Sequence, residues 1–307
     1  MYWVRGFKIV FEKFMNDIYR HQNEPWWVRR ASGIDQVVRY AGVLSILFGV
    51  VVLVVLFGQA LIEGFPRLQL EFFTSFPSRI ASQAGILSAW VGTIWVIVLC
   101  ALMAVPLGVM TALYLEEYSS RHLLSRILEI NIANLAGVPS IIYGLLGLGL
   151  FVRLLALGRS VLAGAGTLAL LILPIVILAT REALRAVPHS LREGSYALGA
   201  SRWQTIWHQV LPAAFPSILT GIILAVSRAV GETAPLIMIG ALTYIAFLPQ
   251  SVRDPFTVLP IQVFNWVSRP QQAFTANAAA GVVVLLGITL TINAVAIWLR
   301  HRYQQKI

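Results

Sequence analysis

Residues 84–115 read AGILSAWVGTIWVIVLCALMAVPLGVMTALYL, thirty-two residues without one charged side chain. At a helical rise of 1.5 Å per residue they reach about 48 Å, more than the roughly 30 Å hydrocarbon core of a bilayer. Inside that core every backbone N–H and C=O must be bonded within its own segment, and a continuous apolar run meets this as a helix. The excess length implies tilt or projection, and Pro106 marks a kink.

Five further runs are long and apolar enough to span, four of them also free of charge. They cover Tyr40 to Ile62, Ile130 to Val152, Ser160 to Thr180, Phe215 to Leu236 or beyond, and Asn277 to Leu299. The expected fold is all-α, a polytopic bundle of about six transmembrane helices with both termini on one side. The whole composition agrees: 58% of the 307 residues are hydrophobic and only 12% charged. A soluble domain carries roughly twice that charged fraction.

The net charge of +10 suggests a nucleic-acid binder until its placement is read. Residues 1–39 hold seven basic residues, 116–129 two, 181–214 four and the C-terminus three, sixteen in all. The opposite set holds six: Arg67, Arg79, Arg153, Arg159, Arg253 and Arg269. By the positive-inside rule both termini lie in the cytoplasm, and the basic balance needs no nucleic acid. The organisation expected is a basic N-terminal segment over 1–39, a membrane domain over 40–300 and a short tail over 301–307. Within 1–39, Val4, Phe7, Phe11, Phe14 and Ile18 recur at helical spacing between charges. That pattern fits a helix lying on a membrane surface, with Trp26 and Trp27 at headgroup level. It fits a helix packed on the protein's own cytoplasmic face equally well. No cleavable signal is evident, because no short apolar core lies in the first 30 residues.

Motifs of catalysis are missing. There is no GxxxxGK[ST] phosphate loop, no HExxH and no nucleophile elbow, and the five histidines are scattered. A lone cysteine, Cys100, excludes an internal disulfide and reads as packing or lipid-facing filler. The glycines at 144–149 and 164–166 read as close-packing positions in apolar spans. The chain is expected to be no enzyme and to carry neither a metal nor a cofactor of its own.

Two stretches carry information beyond topology. The first is 188–216, PHSLREGSYALGASRWQTIWHQVLPAAFP. Ser190 with Glu193, and Ser201 with Gln204, have capping-box spacing, and Gly199 between them can supply a left-handed corner. Trp203, Ile206, Trp207 and Val210 would form one apolar face before Leu211-Pro212 leads into the membrane. A helix, a glycine corner and a helix suit a docking knob, or simply a well-capped connection. The second stretch is 227–236, SRAVGETAPL, inside the fifth run. An arginine near the bilayer centre costs on the order of 3 kcal/mol, so Arg228 should face the bundle interior or an aqueous path. Glu232 is four residues on and can pair with it. A guanidinium is always charged and its planar fork suits oxyanions, so Arg228, Glu232, Ser227 and Thr233 are candidate pathway residues. A structural ion pair is the alternative.

The 188–216 stretch resembles the cytoplasmic coupling motif of bacterial ABC importer permeases: EAA, three residues, G, nine residues, I-x-L-P. Glu193, Gly199, Leu211 and Pro212 stand at the matching positions, while Gly194 and Ser195 replace the alanines and Gln209 the isoleucine. Together with GETAPL at 231–236 and VPSIIYGLLGLGLF at 138–151, it resembles the A-type permeases of bacterial phosphate-specific importers, within the MetI-like permease family. The resemblance covers roughly residues 84–300. It implies a coupling helix over Glu193 to Gly199, in a loop 188–213 holding Ser190, Ser201, Leu211 and Pro212, which docks on an ATPase. It further implies a second permease, two ATP-binding subunits that hold ATP–Mg, a periplasmic phosphate-binding protein, and residence in the bacterial inner membrane. In that picture Arg228 lines the phosphate path. Alternatives are a permease for sulfate or molybdate, the C-type sister, or a secondary transporter working without ATP. Charges in one span alone speak against the last.

Overall fold

The computed structural model describes residues 26–119, 123–241 and 244–304. The amphipathic segment expected before Trp26 lies outside them. The chain divides into two compact units, 1–59 and 60–307. In the first, the described part belongs to α1, Trp26–Gly64, whose stretch from residue 40 onward carries no charge until Glu63.

The second unit is helical, with no sheet among the described residues. Its elements are α2 (Leu70–Thr74), α3 (Leu87–Leu113), α4 (Leu123–Ala136), α5 (Ser140–Gly147), α6 (Val161–Arg185), α7 (His189–Ala197), α8 (Arg202–Thr205), α9 (Leu211–Gly231), α10 (Ala234–Met238), α11 (Leu259–Val267) and α12 (Ala273–Gln304). Five-residue π turns extend α3 through Tyr114–Tyr118 and join α8 to α9 through Ile206–Val210. A longer π segment, Leu148–Leu154, continues α5. Among the described residues, five helices are long and apolar enough to cross a membrane, six if one bent pair forms a single span.

That bent pair corrects the expected third span. Residues 126–136 and 140–154 meet at 103° instead of forming one rod. Pro139 has no N–H to donate and disfavours helical backbone at Val138, so the helix stops beside Gly137. The Tyr143 hydroxyl ties the break by donating to the Leu135 carbonyl at 2.7 Å, which also accepts from Val138 N at 3.1 Å. Pro106, in contrast, sits inside α3 without ending it.

The central element is α6. Val161, Ala163, Gly164, Ala165, Gly166, Thr167 and Leu168 are all buried, and α3, α4, α5 and α9 pack on this helix. Small residues let neighbours come close: the ring tip of Phe256 stands 2.4 Å from where a Cβ of Gly164 would be, and that of Phe151 2.9 Å from Gly166. Cys100 is buried in the same core and serves as filler. Gly149 has nothing within 4 Å, so it is no packing position.

Three orphan N–H groups at the start of α6 find acceptors, and Gly164 then opens the regular helix ladder. Val161 donates to Asp254 O (3.0 Å), Leu162 to Val252 O (2.8 Å), Ala163 to Ser160 Oγ (3.3 Å) and Gly164 to Ser160 O (3.0 Å). The segment before α11 is therefore bound into the bundle. So is α11 itself, with Leu259, Ile261 and Trp266 buried. Within 249–276, Phe256 to Gln262 are for this reason buried without a break, while 250–251 and 270–273 stay exposed. Arg67 makes a similar clasp: its guanidinium bonds Asn277 Oδ1 at 2.6 Å and the carbonyls of Ala81, Ser82 and Ala84 at 2.9–3.1 Å. Four acceptors use most of the five donors an arginine offers.

Candidate functional site

Arg228 and Glu232 come together as their spacing predicts, with Nε 3.2 Å from Oε1. The backbone that presents them differs from one long fifth span. The helix that begins at Arg202 ends at Gly231, and Glu232 is extended (φ −74°, ψ 126°) before α10 starts. Pro235 explains the interruption, because it cannot donate to Gly231 O and its ring crowds that carbonyl. The pair thus stands at a helix end.

Half of the Arg228 side-chain surface is exposed, whereas Glu232 is 15% exposed. The carboxylate takes Nε, leaving the two terminal nitrogens of the fork for another acceptor. Ser227 turns away from them into the core, so it does not share their face. Thr233 stays beside them, its hydroxyl 3.5 Å from Gly231 O.

The chain break is held from α5. A Cβ on Gly144 would stand 2.7 Å from Cα of Pro235 and 2.8 Å from Cβ of Met238. The tertiary fold therefore brings together VPSIIYGLLGLGLF and GETAPL, about ninety residues apart in the chain. Gly144→Val should destabilise the protein by about 1–3 kcal/mol, the usual cost of overpacking, because it meets backbone that cannot swing aside. A lowered thermal unfolding midpoint in detergent checks this, and an unchanged midpoint would contradict the contact.

The second site lies at the other informative stretch. Helix α7 begins one residue after Pro188, four residues before Glu193, and Ser190 lies within its first turn. Pro188 is the N-cap and no side chain caps this end, so the Ser190–Glu193 box does not form. The reason is positional: Pro188 imposes the entry geometry, which puts Ser190 past the cap. The second box does form. Ser201 Oγ accepts from Gln204 N, and Gln204 Oε1 accepts from Ser201 N at 2.8 Å. Gly199 lies between the helices at φ +83°, as expected of the corner, with no atom within 4 Å of a potential Cβ. Ser201→Ala should cost about 1 kcal/mol, the usual value of an N-cap, and lower the unfolding midpoint modestly. An unchanged midpoint, or a loss well above about 2 kcal/mol, the upper end for an N-cap, would contradict it.

The expected apolar face splits. Ile206 and Val210 are buried, while Trp203 and Trp207 stack at 5.5 Å in exposed positions. The π turn over 206–210 changes the angular spacing and separates the two pairs. The same turn loosens the bonding ahead of Pro212, so Leu211-Pro212 continues the helix instead of starting a new one. Glu193 is exposed, and α7 and α8 border an open groove of about 640 Å³ lined by Ser190, Leu191, Ser195, Leu198, Gln204 and His208.

Sequence reading missed the charges beneath this corner. Glu116 meets Arg185 at 3.0 Å and Arg181 at 3.5 Å, and Arg181 meets Glu129 at 2.8 Å. Glu117 holds Arg192 at 2.6 Å. Counting these arginines only as cytoplasmic charge hid their partners, although consecutive glutamates just after an apolar run were the available signal. Among the described residues no group of three or more His, Cys, Asp or Glu could hold a metal ion.

Comparisons with known proteins show the family. Residues 104–307 match the family described as binding-protein-dependent transport system inner membrane component. The phosphate transport system permease protein PstA 1 of Mycobacterium tuberculosis is 38% identical over 216 residues, 70% of each chain. The PstA protein of Haemophilus influenzae is 33% identical, covering 86% of this chain and 91% of its own. A probable ABC transporter permease of Bacillus subtilis, YqgI, is 32% identical over 83% and 91% of the two chains. Among solved structures, a bacterial alginate ABC transporter in complex with an alginate pentasaccharide-bound periplasmic protein superposes with a TM-score of 0.62 at 14% identity. It covers 89% of this chain and 96% of its own, a likeness of fold. The chain is thus a multi-pass membrane protein and a transport subunit, and it belongs to the family of binding-protein-dependent transport system inner membrane components.

Proposed function

We propose that the chain is a transmembrane permease subunit of an ATP-driven importer of inorganic phosphate. Its partners are a second, homologous permease, two ATP-binding subunits that carry ATP–Mg, and a periplasmic phosphate-binding protein. It resides in the bacterial inner membrane with both termini in the cytoplasm, the side favoured by its sixteen-to-six distribution of basic residues. The observation that carries the reading is Arg228, a permanent cation at a helix break whose terminal nitrogens have no acceptor among the described residues. A planar fork with free donors binds a tetrahedral oxyanion by paired charge-assisted hydrogen bonds. Kinship with phosphate permeases from several bacteria supports phosphate among the oxyanions.

Glu232 is the resting partner of that cation. An arriving anion exchanges with the carboxylate, so the site need not be left as an unpaired charge between transport events. Closure of the ATPase pair reaches the membrane through α7, the glycine corner at 199 and the helix continuous from α8. The residues 190–212 thereby turn hydrolysis into alternating access.

Isolation from native membranes in mild detergent tests the assembly. An ABC ATPase and a second permease are expected to accompany the chain; the chain alone, under conditions preserving a control importer, would refute it. Labelled-phosphate uptake tests the substrate. Unlabelled phosphate is expected to dilute uptake, and dilution by sulfate or molybdate instead would reassign the oxyanion.

A further inference from the structure

Helix α7 has no buried residue, so apolar packing does not fix it to the membrane domain. One of its side chains reaches inward. Arg192 forms a forked pair with Glu117, Nη2 to Oε1 at 2.6 Å and Nε to Oε1 at 3.2 Å, and donates to the carbonyls of Val187 (2.8 Å) and Leu184 (3.0 Å). The side chains are only 12% and 7% exposed. In such surroundings a charge separated from its partner is strongly penalised, so the two move together.

Glu117 sits in the π turn that ends the α3 span, and its neighbour Glu116 faces Arg181 and Arg185 of α6. Arg181 continues to Glu129 on α4. The wider register of a π turn lets two consecutive carboxylates serve two different sets of arginines. Two sets of ion pairs, joined through the backbone between Glu116 and Glu117, therefore link α7 by way of the end of α3 to α6 and α4.

We propose that Arg192 and Glu117 are positioning residues that transmit movement of α7 to the α3 span, and through Glu116 to α6 and α4. The proposal rests on the importer reading, in which α7 is the element displaced by the ATPase. Without the pair, α7 follows the ATPase while α3 does not, and hydrolysis continues without transport.

The test uses the complete importer, with both permeases, the ATPase and loaded binding protein, in proteoliposomes. Phosphate uptake per ATP hydrolysed is measured for wild type, Glu117→Gln, Arg192→Gln and the double variant. Each single change is expected to leave the complex assembled and to lower uptake per ATP by about tenfold, within the usual range of coupling free energies. The double variant should fall no further than the worse single one, the non-additivity of two groups acting as one link. Wild-type uptake per ATP in either single variant would overturn the proposal. So would losses that multiply in the double variant, or loss of the assembled complex in Glu117→Gln, which keeps side-chain shape and would then mark a purely structural role. Uptake by the wild-type vesicles without ATP would instead bring down the importer reading itself, and the proposal with it.

Discussion

Arg228→Ala is expected to lower phosphate uptake by roughly 10- to 100-fold, the loss of one charge-assisted interaction worth about 1.5–3 kcal/mol. The complex should still assemble. The side chain is half exposed and its ion pair is with a residue four positions away, so its removal opens no core cavity. It does leave Glu232, only 15% exposed, without its cation at the point where an anion must pass. Repulsion from that carboxylate adds to the lost attraction. Arg228→Ala with Glu232→Gln should therefore recover part of the uptake lost in Arg228→Ala alone. Uptake assays in membranes with matched permease levels measure both. Loss of the folded complex on Arg228→Ala would show that the pair holds the helix end together and handles no substrate.

Gly199→Val should uncouple ATP hydrolysis from transport. At φ +83° an L-residue is strained, and a β-branched one most of all. The strain is confined to the backbone, because nothing lies within 4 Å of a Cβ at this position. The corner would relax toward negative φ and swing α7 against α8, carrying away the Ser195–Thr205 hydroxyl contact at 2.9 Å. Uptake per ATP is expected to fall about tenfold or more, in line with coupling energies generally. Gly199→Asn is the control. Asparagine tolerates left-handed backbone, so this variant should keep most of the coupling despite its larger side chain. Equal losses in both variants would mean that size, not φ, matters at the corner. Wild-type coupling in Gly199→Val would remove the corner from the mechanism.

The two sites differ in how far the sequence revealed them. The Arg228–Glu232 pair, the Ser201–Gln204 box and the Gly199 corner each depend on residues at most four apart, and each stands in the structure where spacing places it. The Ser190–Glu193 box has the same spacing and fails, because Pro188 takes the cap position two residues earlier. The apolar face 203–210 fails for a related reason. Helical periodicity assumes 3.6 residues per turn, and the π turn at 206–210 breaks that count.

Charge-free runs alone determined that this chain is a bundle of membrane helices, since a bilayer accepts no backbone group unsatisfied within its own segment. Local chemistry then determined caps, corners and the i,i+4 ion pair. Tertiary structure decided the rest. The 103° bend beside Gly137 depends on where α5 can pack, and Gly144 finds its partner in Pro235 on a remote segment. The capping of α6 by residues 252–254 and the burial of α11 turn an apparent loop into core. Glu117 and Arg192 are 75 residues apart, and each reads in the sequence as a surface charge. Only the relative placement of two helices makes them a desolvated pair, because a long-range contact is fixed by packing geometry and leaves no periodic trace in the chain.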